Sequence, residues 1–136
     1  MSVEENKALI RRSYEEGVNQ GNFDLVDGLF AQDYVNHNSS LPEPIRGREA
    51  FKQYLQAGAA IFPDLHTTIE DLIGEDDRVV VRHTWRGTHK ATGKQVIFTG
   101  VDIYRIADGK IAEEWVESDT LGMIRQLGIS SMEHMV

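Results

Sequence analysis

The sequence predicts an α+β domain, with N-terminal helices packed on one face of a curved antiparallel sheet. Three observations predict it. Apolar residues recur at helical spacing up to Pro63. Beyond Pro63 the period falls to two, in four runs between Leu65 and Asp119. Only "GEDD", "KATG" and "ADGK" separate those runs, and connections this short make successive strands antiparallel neighbours.

The first helix opens on Ser2, with Glu5 three residues on as a capping box. Val3, Ile10, Tyr14 and Val18 form its apolar stripe, joined by Leu9. "NQGN" stops it, with Gly21 as C-cap. A short second helix follows in "FDLVDGLF", then a strand in "DYVNHN" and a loop in "SSLPEP". The third helix runs through "REAFKQYLQAGAAIF" and ends at Pro63. The strands are "LHTTIEDLI", "RVVVRHTWRGTH", "QVIFTGVDIYRI" and "KIAEEWVESD". Asp108-Gly109 between the last two is a hairpin turn that needs positive φ at both residues. "TLGMIRQLG" adds one or two helical turns. Strands twisted around helices make a cone whose open end is a natural pocket.

At 136 residues the chain reads as a single domain, 1–136, that buries roughly 70% of its unfolded surface. Having no cysteine, it has neither disulfides nor thiolate metal sites. That fits a reducing, cytoplasmic setting. A net charge of -8 argues against a nucleic-acid partner. No apolar run reaches the ~20 residues of a membrane span, and "MSVEENKALIRR" lacks the apolar core of a signal peptide. Histidines 37, 66, 83, 89 and 134 form no HxH or HExxH pattern, so no metal is expected. Neither a GxSxG elbow nor a dinucleotide fingerprint is present, so no cofactor is expected either.

Strand parity sorts the polar residues. Val79, Val81, His83 and Trp85 share one face of their strand and point toward the helices. Phe98, Gly100, Asp102 and Tyr104 alternate with Thr99, Val101 and Ile103, and both sets are apolar enough for burial. In "EEWVESD", Glu113, Trp115, Glu117 and Asp119 fall on one side. Either that side is wet and Trp115 is out of place, or it lines a cavity where acids do work. Glu113 and Glu117 read equally well as solvated charges. Trp85 and Trp115 are core residues or pocket walls. His37, where "DYVNHN" meets a loop, fits a pocket mouth or a turn. His83 fits a satisfied histidine better than a catalyst. Asp102, if buried, needs a partner, for which Arg82 and Arg105 are available. Asp119 either works in the pocket or caps the helix in "TLGMIRQLG".

Segments "EENKALIRRSYEEGVNQGNFDLVDGLFAQDYVNHN", "FPDLHTTIEDLIGEDDRVVVRHTWRGTH" and "FTGVDIYRIADGKIAEEWVESDTLGMIRQLG" occur in the order of the SnoaL-like polyketide cyclases, often labelled ester cyclases, and the chain resembles that family. The resemblance implies the nuclear transport factor 2-like (cystatin-like) cone, used as a homodimer through the sheet. It implies cofactor-independent aldol-type cyclisation of an apolar, carbonyl-bearing small molecule, with an aspartate before the "LG" tail as general acid/base. Here that position is Asp119, with His37 at the mouth as a second catalytic candidate. Asn36, His83, Trp85, Asp102, Tyr104, Trp115 and Glu117 are the expected substrate-binding residues. The same cone also supports an isomerase, a dehydratase, an epoxide hydrolase or a non-catalytic binding protein.

Overall fold

The computed structural model describes residues 1–128. Helix α1 (Val3–Arg12) starts at the expected box: Ser2 Oγ accepts from the Glu5 N–H at 3.1 Å, and Glu5 Oε1 accepts from the Ser2 N–H at 3.2 Å. The helix then widens. Residues Ser13–Val18 wind as a π-helix, closed by an Asn19 N–H to Tyr14 C=O bond of 2.9 Å. Such a turn inside a helix is uncommon and re-aims side chains; here it presents Tyr14 to the sheet. Helix α2 (Leu25–Leu29), strand β1 (Phe30–Asn38), the short β2 (Ile45–Arg46) and helix α3 (Arg48–Ile61) follow.

The four predicted strands are β3 (His66–Glu75), β4 (Arg78–Thr88), β5 (Gln95–Ala107) and β6 (Lys110–Ser118), and helix α4 (Thr120–Gln126) closes the described chain. Asp108 and Gly109 take φ of 52° and 73°, the left-handed pair the hairpin requires. The sheet order is β2-β1-β6-β5-β4-β3. The meander is antiparallel as expected, but β1 runs parallel to β6. Short loops dictate direction only within the meander; β1 reaches β6 through α3 and four strands, so no hairpin constrains it.

The core fills the angle between α1, α2 and the concave face. Ile10, Tyr34, Val79, Val81 and Ile111 are fully buried. Phe30, Tyr34 and Phe51 cluster with centroids 4.8–5.1 Å apart, Phe30 and Tyr34 edge to face and Phe51 tilted against both. Phe51 is the buried residue of α3, so one ring anchors that helix to the sheet.

Register assigns the faces. Tyr104 lies opposite Glu114, and Asp102 opposite Val116. Glu114, Val116 and Ser118 therefore share the concave face with Asp102 and Tyr104. Trp115 pairs with Ile103 on one side and His37 on the other, which puts all three on the convex face. The convex face also exposes Ile73, Ile97, Val101 and Ile103.

Candidate active site

Between α3 and the concave face lies a cavity of about 670 Å³, the size of a pocket for a drug-like molecule. Its walls are apolar and aromatic, with Trp85, Phe98, Tyr54, Leu55, Phe62 and Met123 among them. Its floor is polar: Tyr14, Asn36, Asp102, Tyr104 and Glu114 converge there.

The floor is a network of buried hydroxyls around two carboxyl groups. Tyr14 Oη donates to Asp102 Oδ2 at 2.8 Å, and Tyr104 Oη lies 3.5 Å from the same oxygen. The Tyr14 and Tyr104 hydroxyls also hydrogen-bond each other, and either can be the donor. Tyr34 Oη donates to Glu114 Oε1, and Asn36 Nδ2 donates to both Tyr34 Oη (2.8 Å) and Glu114 Oε1 (3.2 Å). Asp102 is 3% exposed and Glu114 4%. Two carboxylates so enclosed cannot both ionise at neutral pH. Burial raises Asp102, while hydrogen bonds from Glu114, Tyr14 and Tyr104 pull it back. Burial pushes Glu114 well above the carboxylate range, and the negative charge of Asp102 pushes it further. Both carboxyl groups are thus raised, Glu114 the further of the two. Burial, then the charge of Asp102, raises Tyr14, so its hydroxyl stays a donor.

Behind Asp102 sits His83, 1% exposed. Its Nε2 lies 3.3 Å from Asp102 Oδ1, and its Nδ1 lies 2.9 Å from Thr67 Oγ1. Burial lowers its pKa from 6.5 to about 4, so the ring is neutral at pH 7. A histidine lowered in the fold contributes stability above its unfolded value of 6.5 and loses it as pH falls toward about 4. The window amounts to about 3 kcal/mol at 1.36 kcal/mol per unit. His83→Gln is expected to remove that slope from the stability profile between pH 4 and 6.5. Urea unfolding at several pH values reads it, and an unchanged slope would assign the acid sensitivity elsewhere.

Of the expected substrate-binding residues, the structure brings Asn36, Trp85, Asp102 and Tyr104 to the cavity, with His83 packed behind them. His37, Trp115, Glu117 and Asp119 are not brought there. His37 stacks on Trp115 at 5.4 Å and contacts Glu113 at 2.6 Å, while Arg78 covers the other part of the indole at 5.0 Å. That Trp–His–Arg stack explains a tryptophan on the convex face without a cavity. Glu117 is exposed and accepts from Ser39. Asp119 is exposed and caps α4, its Oδ1 accepting from the Gly122 N–H at 2.9 Å. The expected pocket placement of these four is corrected by parity: the apolar β6 residue Val116 and the acid Glu114 turn inward, so the Trp115 row turns outward. The expected arginine partners of Asp102 are corrected too. Arg82 pairs with Asp71 and Arg105 with Glu113. Sequence reading missed Tyr14, Tyr34 and Glu114. Tyr14 lay in a helical stripe and passed as core; Glu114 shares its parity with Val116, which was a usable signal.

Among the described residues no group of three His, Asp or Glu side chains could hold a metal, and His134 lies outside them. Nor is any described helix long and apolar enough to cross a membrane.

A family model described as SnoaL-like polyketide cyclase matches residues 8–127. Three solved structures are similar. Wild-type IdmH from Streptomyces antibioticus, a candidate polyketide cyclase, is 32% identical over 91% of this chain and 99% of its own, with a TM-score of 0.81. AclR from Streptomyces galilaeus, a candidate hydroxylase, is 25% identical over 93% and 98%, at 0.82. A candidate polyketide cyclase from Acidithiobacillus ferrooxidans is 26% identical over 94% and 98%, at 0.84. No curated protein matches the chain.

Proposed function

The chain belongs to the SnoaL-like polyketide cyclase family, and from that premise we propose that its cavity binds an apolar carbonyl compound and closes a ring in it by cofactor-independent aldol chemistry. The observation that carries this reading is the pair of buried carboxyl groups, Asp102 and Glu114, both raised by burial, on the floor of an apolar cavity. Aldol chemistry needs a base beside a carbon next to a carbonyl, and donors for the enolate oxygen. Asp102 supplies the base in place of Asp119. The carboxylate removes the α proton and becomes a neutral acid. The C–H electron pair moves into the enolate, whose oxygen accepts hydrogen bonds from Glu114 and Tyr14. The enolate carbon then attacks a second carbonyl of the same molecule, forming a C–C bond. The new alkoxide takes its proton from Asp102, which returns to the carboxylate. Nothing is oxidised or reduced.

The test uses a simple enolisable ketone. Purified protein in D2O is expected to accelerate α-proton exchange of 2-tetralone, followed by 1H NMR. Tetralone that binds without exchange above buffer would reduce the protein to a ligand carrier.

The same proposal covers assembly and setting. A convex face with Ile97, Val101 and Ile103 each about 40% exposed or more is apolar surface that a second copy would cover, in the cytoplasm, where a chain without cysteines loses no cross-link. Sedimentation velocity at micromolar concentration is expected to give a homodimer; a monomer would contradict it, as would Ile103→Glu leaving the sedimentation coefficient unchanged.

A further inference from the structure

The two oxygens of Asp102 meet different surroundings. Oδ2 faces the hydroxyls of Tyr14 on the π-helix and Tyr104 on its own strand, which rotate freely between donating and accepting. Oδ1 faces His83 Nε2 from β4 at 3.3 Å. Glu114, from β6, is the remaining titratable group beside the carboxyl. Both Oδ1 and Nε2 are buried, and neither has a hydrogen-bond partner in the structure; each is the nearest unpaired polar atom the other has, at 3.3 Å. We propose that His83 is the positioning residue of Asp102: its Nε2–H holds Oδ1 as a permanent acceptor, so that the proton exchanged with substrate enters and leaves at Oδ2 alone.

The tautomer follows from the neighbours. A neutral imidazole carries one hydrogen. On Nδ1 it would leave two lone pairs facing each other at 3.3 Å in a buried site, which is costly. On Nε2 it satisfies Oδ1, and the Thr67 hydroxyl donates to Nδ1. Thr67 is in turn fixed by Asn19, whose side chain accepts from the Thr67 N–H at 2.8 Å and donates to its C=O at 2.9 Å. The rings of Tyr14 and Trp85, each 5.2 Å from the imidazole, pack it against rotation. The carboxyl plane is therefore held through the whole proton cycle, as a serine-protease aspartate holds its histidine but with the roles exchanged. Protonation of Oδ2 leaves the Oδ1 contact in place, and the Tyr14 hydroxyl, released from Oδ2, turns its one hydrogen to the enolate oxygen.

This inference rests on the reading of Asp102 as the base, but its test needs no turnover. Long-range 1H–15N spectra of the wild-type protein are expected to show His83 as the Nε2–H tautomer throughout pH 6–8. Thr67→Val keeps the shape and removes the hydroxyl that pairs with Nδ1. It is expected to raise the midpoint of the Asp102 carboxyl 13C titration by about one unit, the effect of losing one charge-assisted donor, and Thr67→Ser is expected to restore it. A hydrogen on Nδ1 in the wild type would overturn the proposal even if no variant folds. So would an Asp102 midpoint that Thr67→Val leaves in place. Exchange that survives Asp102→Asn would sink the base and leave the tautomer result standing, so the two failures are distinguishable.

Discussion

Asp102→Asn is expected to slow the α-proton exchange of 2-tetralone by roughly 10³, within the usual range for loss of a general base. Asparagine keeps the shape and can still accept from Tyr14, so ligand affinity is expected to hold. Stability provides a second readout with a defined sign. Burial raises both carboxyl groups. Their favourable contribution is therefore complete below the ordinary carboxylate values and lost as pH rises through the raised ones. Removing one titrating group should flatten that decline, leaving the variant equal to or more stable than the wild type above neutrality. Urea unfolding from pH 5 to 9 measures this. The decisive comparison is Asp119→Asn. If it abolishes exchange while Asp102→Asn does not, the base lies at the α4 cap and the floor of the cavity is only a binding surface.

Phe51→Ala is expected to cost about 3–5 kcal/mol, the usual loss for a buried phenylalanine. In a domain with some 5–15 kcal/mol in total that is a large share. The expectation follows from the thin attachment of α3, whose one buried ring meets Phe30 and Tyr34 at 5.1 and 4.8 Å. The rest of the inner face of α3, including Tyr54 and Leu55, lines the cavity and is only partly covered, Leu55 against the core and Tyr54 against Phe51. The roof should loosen, so tetralone affinity is expected to fall with stability. A loss under about 1 kcal/mol in urea unfolding would mean that Leu55 and the β1 contacts hold the helix instead.

The class of fold was legible because period and breaker agree along the chain. The capping box at Ser2, the stop at Pro63 and the Asp108-Gly109 turn each act locally, and each stands where expected. The parallel β1–β6 pair was not legible, since nothing local joins residues so far apart. The site was half legible. Asn36, Trp85, Asp102 and Tyr104 were found because β4 and β5 have one clearly inward face. On β6 the inward face carries an acid and the outward face a tryptophan, the inverse of the hydrophobic rule. A buried Glu114 is tolerated through Tyr34 and Asn36, partners that parity on a single strand cannot reveal.

The π-turn at Ser13–Val18 makes the site depend on chain length as well as on side chains. Tyr14 reaches Asp102 from one end of that turn, and Asn19 clamps Thr67 from the other. In a regular helix, residues five apart point roughly 140° away from each other, from 3.6 residues per turn; the wider turn lets both anchors face the same sheet. Loss of one residue between them would leave the two anchors four apart, about 40° from each other in a regular helix of 3.6 residues per turn, so a plain helix would then aim both at the sheet. The spacing of the two anchors and the winding of the helix are thus interchangeable: five steps reach the sheet only through the wide turn, and a single-codon deletion is the one change of length that would let a regular helix hold the same pair.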